Sequence, residues 1–161
     1  MALVDKGGYL VDDAVWKKMR KNLLAGIDLE LRVGAFEDSK YGPENDNLQV
    51  AQVMQFNEEG TDKNPVRPFI RVGFMGPVRR GAYDEYFKES IAKIAEGKST
   101  FLNEYKLIGK MAKTDMQEVI QDWSTPPNSP VTIDLKGFNN PLIDTGTMHD
   151  SVDFKIEKRG T

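Results

Sequence analysis

Apolar positions along the chain switch between two periods, and the switches mark out its elements. Asp12 or Asp13 has the short acceptor side chain that caps a helix. Behind them Val15, Trp16, Met19 and Leu23 recur at helical spacing to about Ala25, and Gly26 stops the run. Residues 27–36 change to alternation, with Leu29, Leu31, Val33 and Ala35 set against Asp28, Glu30, Arg32 and Gly34, which predicts a strand with one wet face. Residues 37–47 are polar and carry Gly42 and Pro43, as expected of a loop that serves as a contact arm or mobile segment. In 48–56, Val50, Val53 and Met54 fit a short helix capped by Asn47, with a strand as the alternative. Asn57 to Pro65 reads as a turn, and Ile70, Val72 and Phe74, alternating with Arg71 and Gly73, predict a second strand ended by Gly76-Pro77.

The second half opens with two helical stripes. Tyr83, Phe87, Ile91 and Ile94 line a helix over 82–95 closed by Gly97. Tyr105, Ile108, Ala112, Met116, Val119 and Trp123 line a longer one that Ser99 or Thr100 caps. The Trp16, Phe87 and Tyr105 stripes are assigned to the core. Residues 124–140, broken by Pro126, Pro127 and Pro130, predict an ordered loop with room for one helical turn. A last strand follows at about 151–158, with Val152, Phe154 and Ile156 on one face. The expected fold is α+β: a small antiparallel sheet of about three to four strands covered by two long helices. An N-terminal helix at about 9–25 precedes an α+β core at about 27–158, within a single domain spanning 1–161.

Composition narrows the chemistry. A net charge of −3 argues against a protein that grips duplex DNA, though not against one that surrounds it. With no cysteine there is no disulfide, thiolate nucleophile or cysteine metal site, and the single histidine, His149, excludes a two-histidine motif within one chain. No apolar run reaches bilayer-spanning length, and residues 1–8 lack the basic and apolar regions of a leader, so the expectation is a protein kept in the cytoplasm or in a particle assembled there. Lys17, Lys18, Arg20 and Lys21 on the first helix read as a solvated face rather than a phosphate site.

Two stretches carry more specific information. One runs Phe56-Asn57-Glu58-Glu59-Gly60-Thr61 and then Val66-Arg67-Pro68-Phe69-Ile70-Arg71. The other holds Lys136-Gly137, Pro141-Leu142-Ile143-Asp144-Thr145-Gly146 and Ser151-Val152. Together they resemble the neck and tail-completion (minor head–tail joining) proteins of tailed phages. That family carries an Asn-Glu-aromatic-Gly-Thr turn, an Arg-Pro-Phe-apolar-Arg strand and a Pro-Leu-Ile-Asp-Thr-Gly segment in the same order. The resemblance covers roughly residues 27–157, and Glu59 departs from it by standing where the family has an aromatic.

The resemblance implies a virion structural protein at the head–tail junction, built into a homo-oligomeric ring. Its implied partners are copies of itself and other neck, connector and tail proteins, with DNA passing the lumen without sequence-specific contact and no membrane involved. A tail-terminator ring is the alternative. The implied contact residues are Asn57, Glu58, Gly60, Thr61, Arg67, Pro68, Phe69 and Arg71 in the first stretch, and Leu142, Ile143, Asp144, Thr145 and Gly146 in the second. In this scheme Glu58 and Arg67 form an ordered ring contact or a surface pair, and Arg67→Ala blocks assembly without disturbing the subunit.

Enzyme chemistry is the competing class. Apolar-apolar-Asp-Thr-Gly is also the aspartic-protease loop, where two such loops from a dimer would share a proton at Asp144. The long helices and the short chain beyond Asp144 fit that reading poorly. Asp144, His149, Asp150 and Asp153 lack calcium-loop spacing, and no phosphate loop, dinucleotide fingerprint or Ser/His/Asp order is present, so no catalytic residue, cofactor or metal is expected.

Overall fold

The computed structural model describes residues 3–4 and 10–160. Strands β1 (Leu3–Val4) and β2 (Leu10–Val11) pair antiparallel, Leu3 opposite Val11. The rest of the stretch 1–8, expected to lack a leader, lies outside the described residues, as does residue 9, where the first helix was expected to begin. That helix, α1, starts later, at Asp13–Leu24. Asp12 caps it, Oδ1 accepting from the Ala14 and Val15 amides at 2.9 and 3.4 Å. Further along come β3 (Leu29–Gly34), α2 (Val50–Glu59), α3 (Pro77–Glu96), α4 (Phe101–Asp122), α5 (Pro130–Lys136), α6 (Thr147–Asp150) and β4 (Asp153–Lys158). The class is α+β. The sheet formed by β3 and β4 is two-stranded and antiparallel, not the expected three to four strands. No helix among the described residues is long and apolar enough to cross a membrane.

The chain packs as two compact units. The first comprises Met1–Leu31, Gly81–Ile108 and Ile156–Thr161. Here Asn22 of α1 donates to the Ala95 carbonyl (3.3 Å), and Gly26 lies under the Phe101 ring, too close for a Cβ. Ile94, Ala95 and Ile108 are buried, and between them Ser90 donates to the Glu104 carboxylate at 2.7 Å. Thr100 caps α4, as the sequence predicts, by accepting from the Asn103 amide. The apolar stripes of α1 and α3 are a correction. Trp16 is 53% exposed, Phe87 43% and Ile91 50%, and α1 buries none of its residues. Ile94 at the end of the α3 stripe and Ile108, Ala112 and Met116 of the α4 stripe are buried as expected, and Ser90 meets Glu104 beside them, so helical period located the buried face of α4 but not those of α1 and the middle of α3. The basic residues of α1 stay on a wet face, Lys17 pairing with Asp13 at 2.7 Å.

The second unit comprises Arg32–Arg80 and Gly109–Lys155. Its core joins Val50 and Met54 of α2, Phe69, Met116 and Ile120 of α4, Leu142, Met148 and Val152. Residues 48–56 resolve as helix, but the residue ahead of α2 is Gln49; Asn47 sits in a left-handed turn (φ 53°). The polar segment 37–47 is not an open arm. A bridge between Lys40 and Gln49 pinches it shut, with Tyr41 N–H to Leu48 O at 2.9 Å, Val50 N–H to Ser39 O at 3.0 Å, and a 3-10 turn at Pro43–Asn45.

The expected strand at 70–74 is also corrected, because Phe69–Phe74 winds into a π-helical turn. Glu58 takes the Ile70 and Arg71 amides at 2.8 and 3.0 Å, and Val72 and Met75 donate to Pro68 and Ile70 carbonyls. Those groups are no longer free for a ladder, and this removes a strand from the sheet. On β4, Phe154 lies over Gly109, again leaving no room for a Cβ.

Two stability predictions follow from these contacts. Gly109→Ala is expected to destabilise by about 1–3 kcal/mol through overpacking against Phe154, whereas Gly81→Ala, with nothing within 4 Å of its Cβ, should stabilise by up to about 1 kcal/mol; denaturant melts of the two variants check the opposite signs. The Ser99 hydroxyl first, and Ser90 and Lys93 after it, hold the Glu104 carboxyl below its ordinary value despite burial. A depressed carboxyl contributes stability that is complete above the ordinary pKa and lost as pH falls through the lowered one. Glu104→Ala should therefore cost about 1–3 kcal/mol near neutrality, and the gap to the native protein should narrow below about pH 4 in a urea-melt series.

Candidate functional site

The first singled-out stretch is more helical than its residues suggest. Asn57, Glu58 and Glu59 form the last turn of α2, and the turn proper begins at Gly60, whose φ of 76° suits glycine. Thr61 organises the loop, its Oγ1 accepting from the Lys63 and Asn64 amides at 3.3 and 3.0 Å. The chain then returns to α2, where the Arg67 amide donates to the Asn57 carbonyl at 2.7 Å.

Arg67 itself is only 6% exposed. Its Nε donates to the Pro126 carbonyl at 3.2 Å and its Nη1 to the Asn57 side-chain oxygen at 3.3 Å. Asn57 is held in turn by its own bond to Val53 O at 2.9 Å. Within one subunit Glu58 does not pair with Arg67. Glu58 serves the backbone of Ile70 and Arg71 instead, with the exposed Arg71 guanidinium at 3.9 Å. Phe69 is fully buried in the core.

The second stretch hangs on an asparagine and a lysine. Asn140 Oδ1 accepts from the Leu142 and Ile143 amides, both at 2.9 Å, which turns the chain and drives Leu142 into the core. Lys136, at the end of α5, donates to Asn140 O at 2.9 Å and to Ile143 O, and lies 4.8 Å from the Phe138 ring centre. Asp144 and Thr145 are exposed; Thr145 shares a 2.7 Å hydroxyl contact with Thr147, and Gly146 takes a φ of 86° ahead of α6.

The two stretches meet in space. A groove of about 980 Å³ has Asn57, Pro65 and Arg67 on one side and Ser129, Lys136 and Asp144 on the other. A smaller cavity of about 120 Å³ sets Tyr41, Val53 and Asn57 against residues 141–148. Asn57, Arg67, Leu142, Ile143, Asp144, Thr145 and Gly146 line one or both, whereas Glu58, Gly60, Thr61, Pro68, Phe69 and Arg71 line neither.

The electrostatics of the groove are cationic. Burial pushes the Lys136 ammonium below its ordinary value; Asp144 opposes this, and Arg67 adds to it as a like charge. Burial also lowers the Arg67 guanidinium from its very high ordinary value, and raises the Tyr41 phenol with help from Asp144. Sequence reasoning left Lys63, Ser129, Phe138 and Tyr41 out of the site and treated Lys136 only as part of a motif. The cation four residues before Asn140 was the signal available for Lys136. His149 sits beside Asp150 at 2.8 Å, and no group of three or more metal-ligating side chains occurs among the described residues.

The internal bonds of Arg67 change one expectation. Arg67→Ala should lower subunit stability by about 1–3 kcal/mol, because it leaves the Asn57 side chain and the Pro126 carbonyl without their donor; a thermal melt that does not move would contradict this assignment. In comparisons with protein-family models, curated proteins and solved structures, nothing matches this chain.

Proposed function

We propose that the protein is a structural component of a tailed-phage virion, a subunit of the neck ring that joins head and tail. Its partners are copies of itself and the adjoining neck, connector and tail proteins, and DNA passes the lumen without sequence-specific contact. It has no catalytic residue and no cofactor. The observation that carries this reading is the convergence of the two stretches behind the family resemblance. Asn57 and Arg67 from one and Asp144 from the other, more than 70 positions apart in the chain, border one groove. Turn residues presented on fixed helices are the usual place for partner contacts. A closed ring requires a heterologous contact, one face of a subunit meeting a different face of the next.

Across the groove and the smaller cavity the residues divide by burial. Leu142 and Arg67 hold the loops in place, while Asp144 and Thr145 are exposed and free to meet a neighbour. Mass spectrometry of purified tailed particles should find the protein, and antibody should label the head–tail junction. Thr145→Arg should reduce incorporation by roughly tenfold with an unchanged subunit melt, since the side chain has no core contact to lose. Absence of the protein from purified particles would overturn the proposal. Tails of uncontrolled length after loss of the protein would assign it to the tail terminator instead.

A further inference from the structure

Arg67 stands out electrostatically. It is only 6% exposed, it borders an open groove, and the two acceptors it meets are neutral: a backbone carbonyl and an asparagine oxygen. A guanidinium has five N–H donors in a planar fork, and two are engaged here. Among the described residues no carboxylate pairs with it. A buried charge without a counter-ion is costly, and natural chains retain one where a partner supplies the opposite charge.

The surroundings define what that partner carries. Lys136 is a second fixed cation nearby, held by two backbone carbonyls, and Lys63 also lines the groove; among the described residues Asp144 is the one acid in the lining. Three cations against one carboxylate leave the groove electropositive in a protein whose net charge is −3. Pro65, Pro127 and Pro141 contribute no N–H to the walls, so an anion here is met chiefly by side chains. Leu135, 83% exposed, and Phe138 offer apolar surface beside the cations.

We propose that this groove binds a carboxylate side chain presented on an extended, partly apolar peptide segment of a partner protein, with the Arg67 guanidinium as its anchor. A planar fork fits a carboxylate bidentately, and about 980 Å³ is room for a few peptide residues. A nucleic-acid backbone is the poorer fit: it calls for a row of exposed cations along a basic surface, and here the key cation is buried, the lining mixes apolar with neutral polar side chains, and it includes an acid. The inference rests on reading the groove as a protein-contact face, and it adds the chemistry of the partner.

The purified subunit is titrated at low salt with an acetylated, amidated hexapeptide carrying one central glutamate flanked by proline and leucine. The same peptide with glutamine, and a short DNA duplex, are run in parallel. The glutamate peptide should bind, and its glutamine counterpart about tenfold more weakly. Lys63→Glu should weaken binding several-fold and Asp144→Asn should tighten it, with melting curves confirming that both variants are folded. Arg67→Lys keeps the charge, loses the fork and should bind more weakly than the native protein. Equal affinity for the two peptides, binding of neither, or binding of the duplex in preference would each overturn the proposal. Because the titration uses isolated subunits, failure there alongside normal presence in particles would sink this inference and leave the virion role standing. Peptide binding by a protein absent from particles would do the reverse.

Discussion

The guanidinium of Arg67 is the tie on which the groove of the second unit depends. It joins the end of α2, through Asn57, to the proline-rich segment after α4, through Pro126. No apolar contact could do the same work, because the groups being joined are an amide side chain and a peptide carbonyl that need donors once buried. The arrangement fixes the return of the loop after Gly60 and places the 126–141 segment opposite it, and the groove is the space left between them.

Glu58 is a second constraint of the same kind, with a different outcome. By accepting two successive amides it holds 69–74 in a π-helical turn and sends Phe69 into the core beneath α2. One carboxylate thereby decides both a secondary structure and a packing site. The same feature limits what the sequence could reveal. Ile70, Val72 and Phe74 alternate as a strand would, and alternation is a local signal; the side chain that overrides it lies twelve residues earlier.

What was legible follows the same division between local and distant causes. Asp12 and Thr100 cap their helices through amides two to three residues away, so α1 and α4 could be placed from spacing and cap chemistry. The strands β3 and β4 also lie where alternation puts them. Asn57, Arg67 and Asp144 could be singled out from the sequence, and they do border one groove, but their contacts could not be foreseen. Whether Arg67 faces solvent or the inside depends on Pro126, fifty-nine positions away. The exposure of Trp16 and Phe87 was hidden for a related reason: an apolar stripe records that a helix has two faces, and the partners it meets are recorded elsewhere in the chain.

The helix α5 gives the groove an unequal pair of walls. Its seven residues include none that is buried, and its attachments are the Ser129 cap, the Lys136 staple and the bonds of Asn128 to Asn139 and Asn140. A helix of two turns has little stability of its own. Elements held by polar bonds rather than by apolar burial sit toward the low end of the local unfolding scale. One side of the groove is therefore part of the packed core, and the other is a short helix held in place by hydrogen bonds. An occupant of the groove would thus meet one wall set by apolar packing and one whose order depends on a handful of hydrogen bonds.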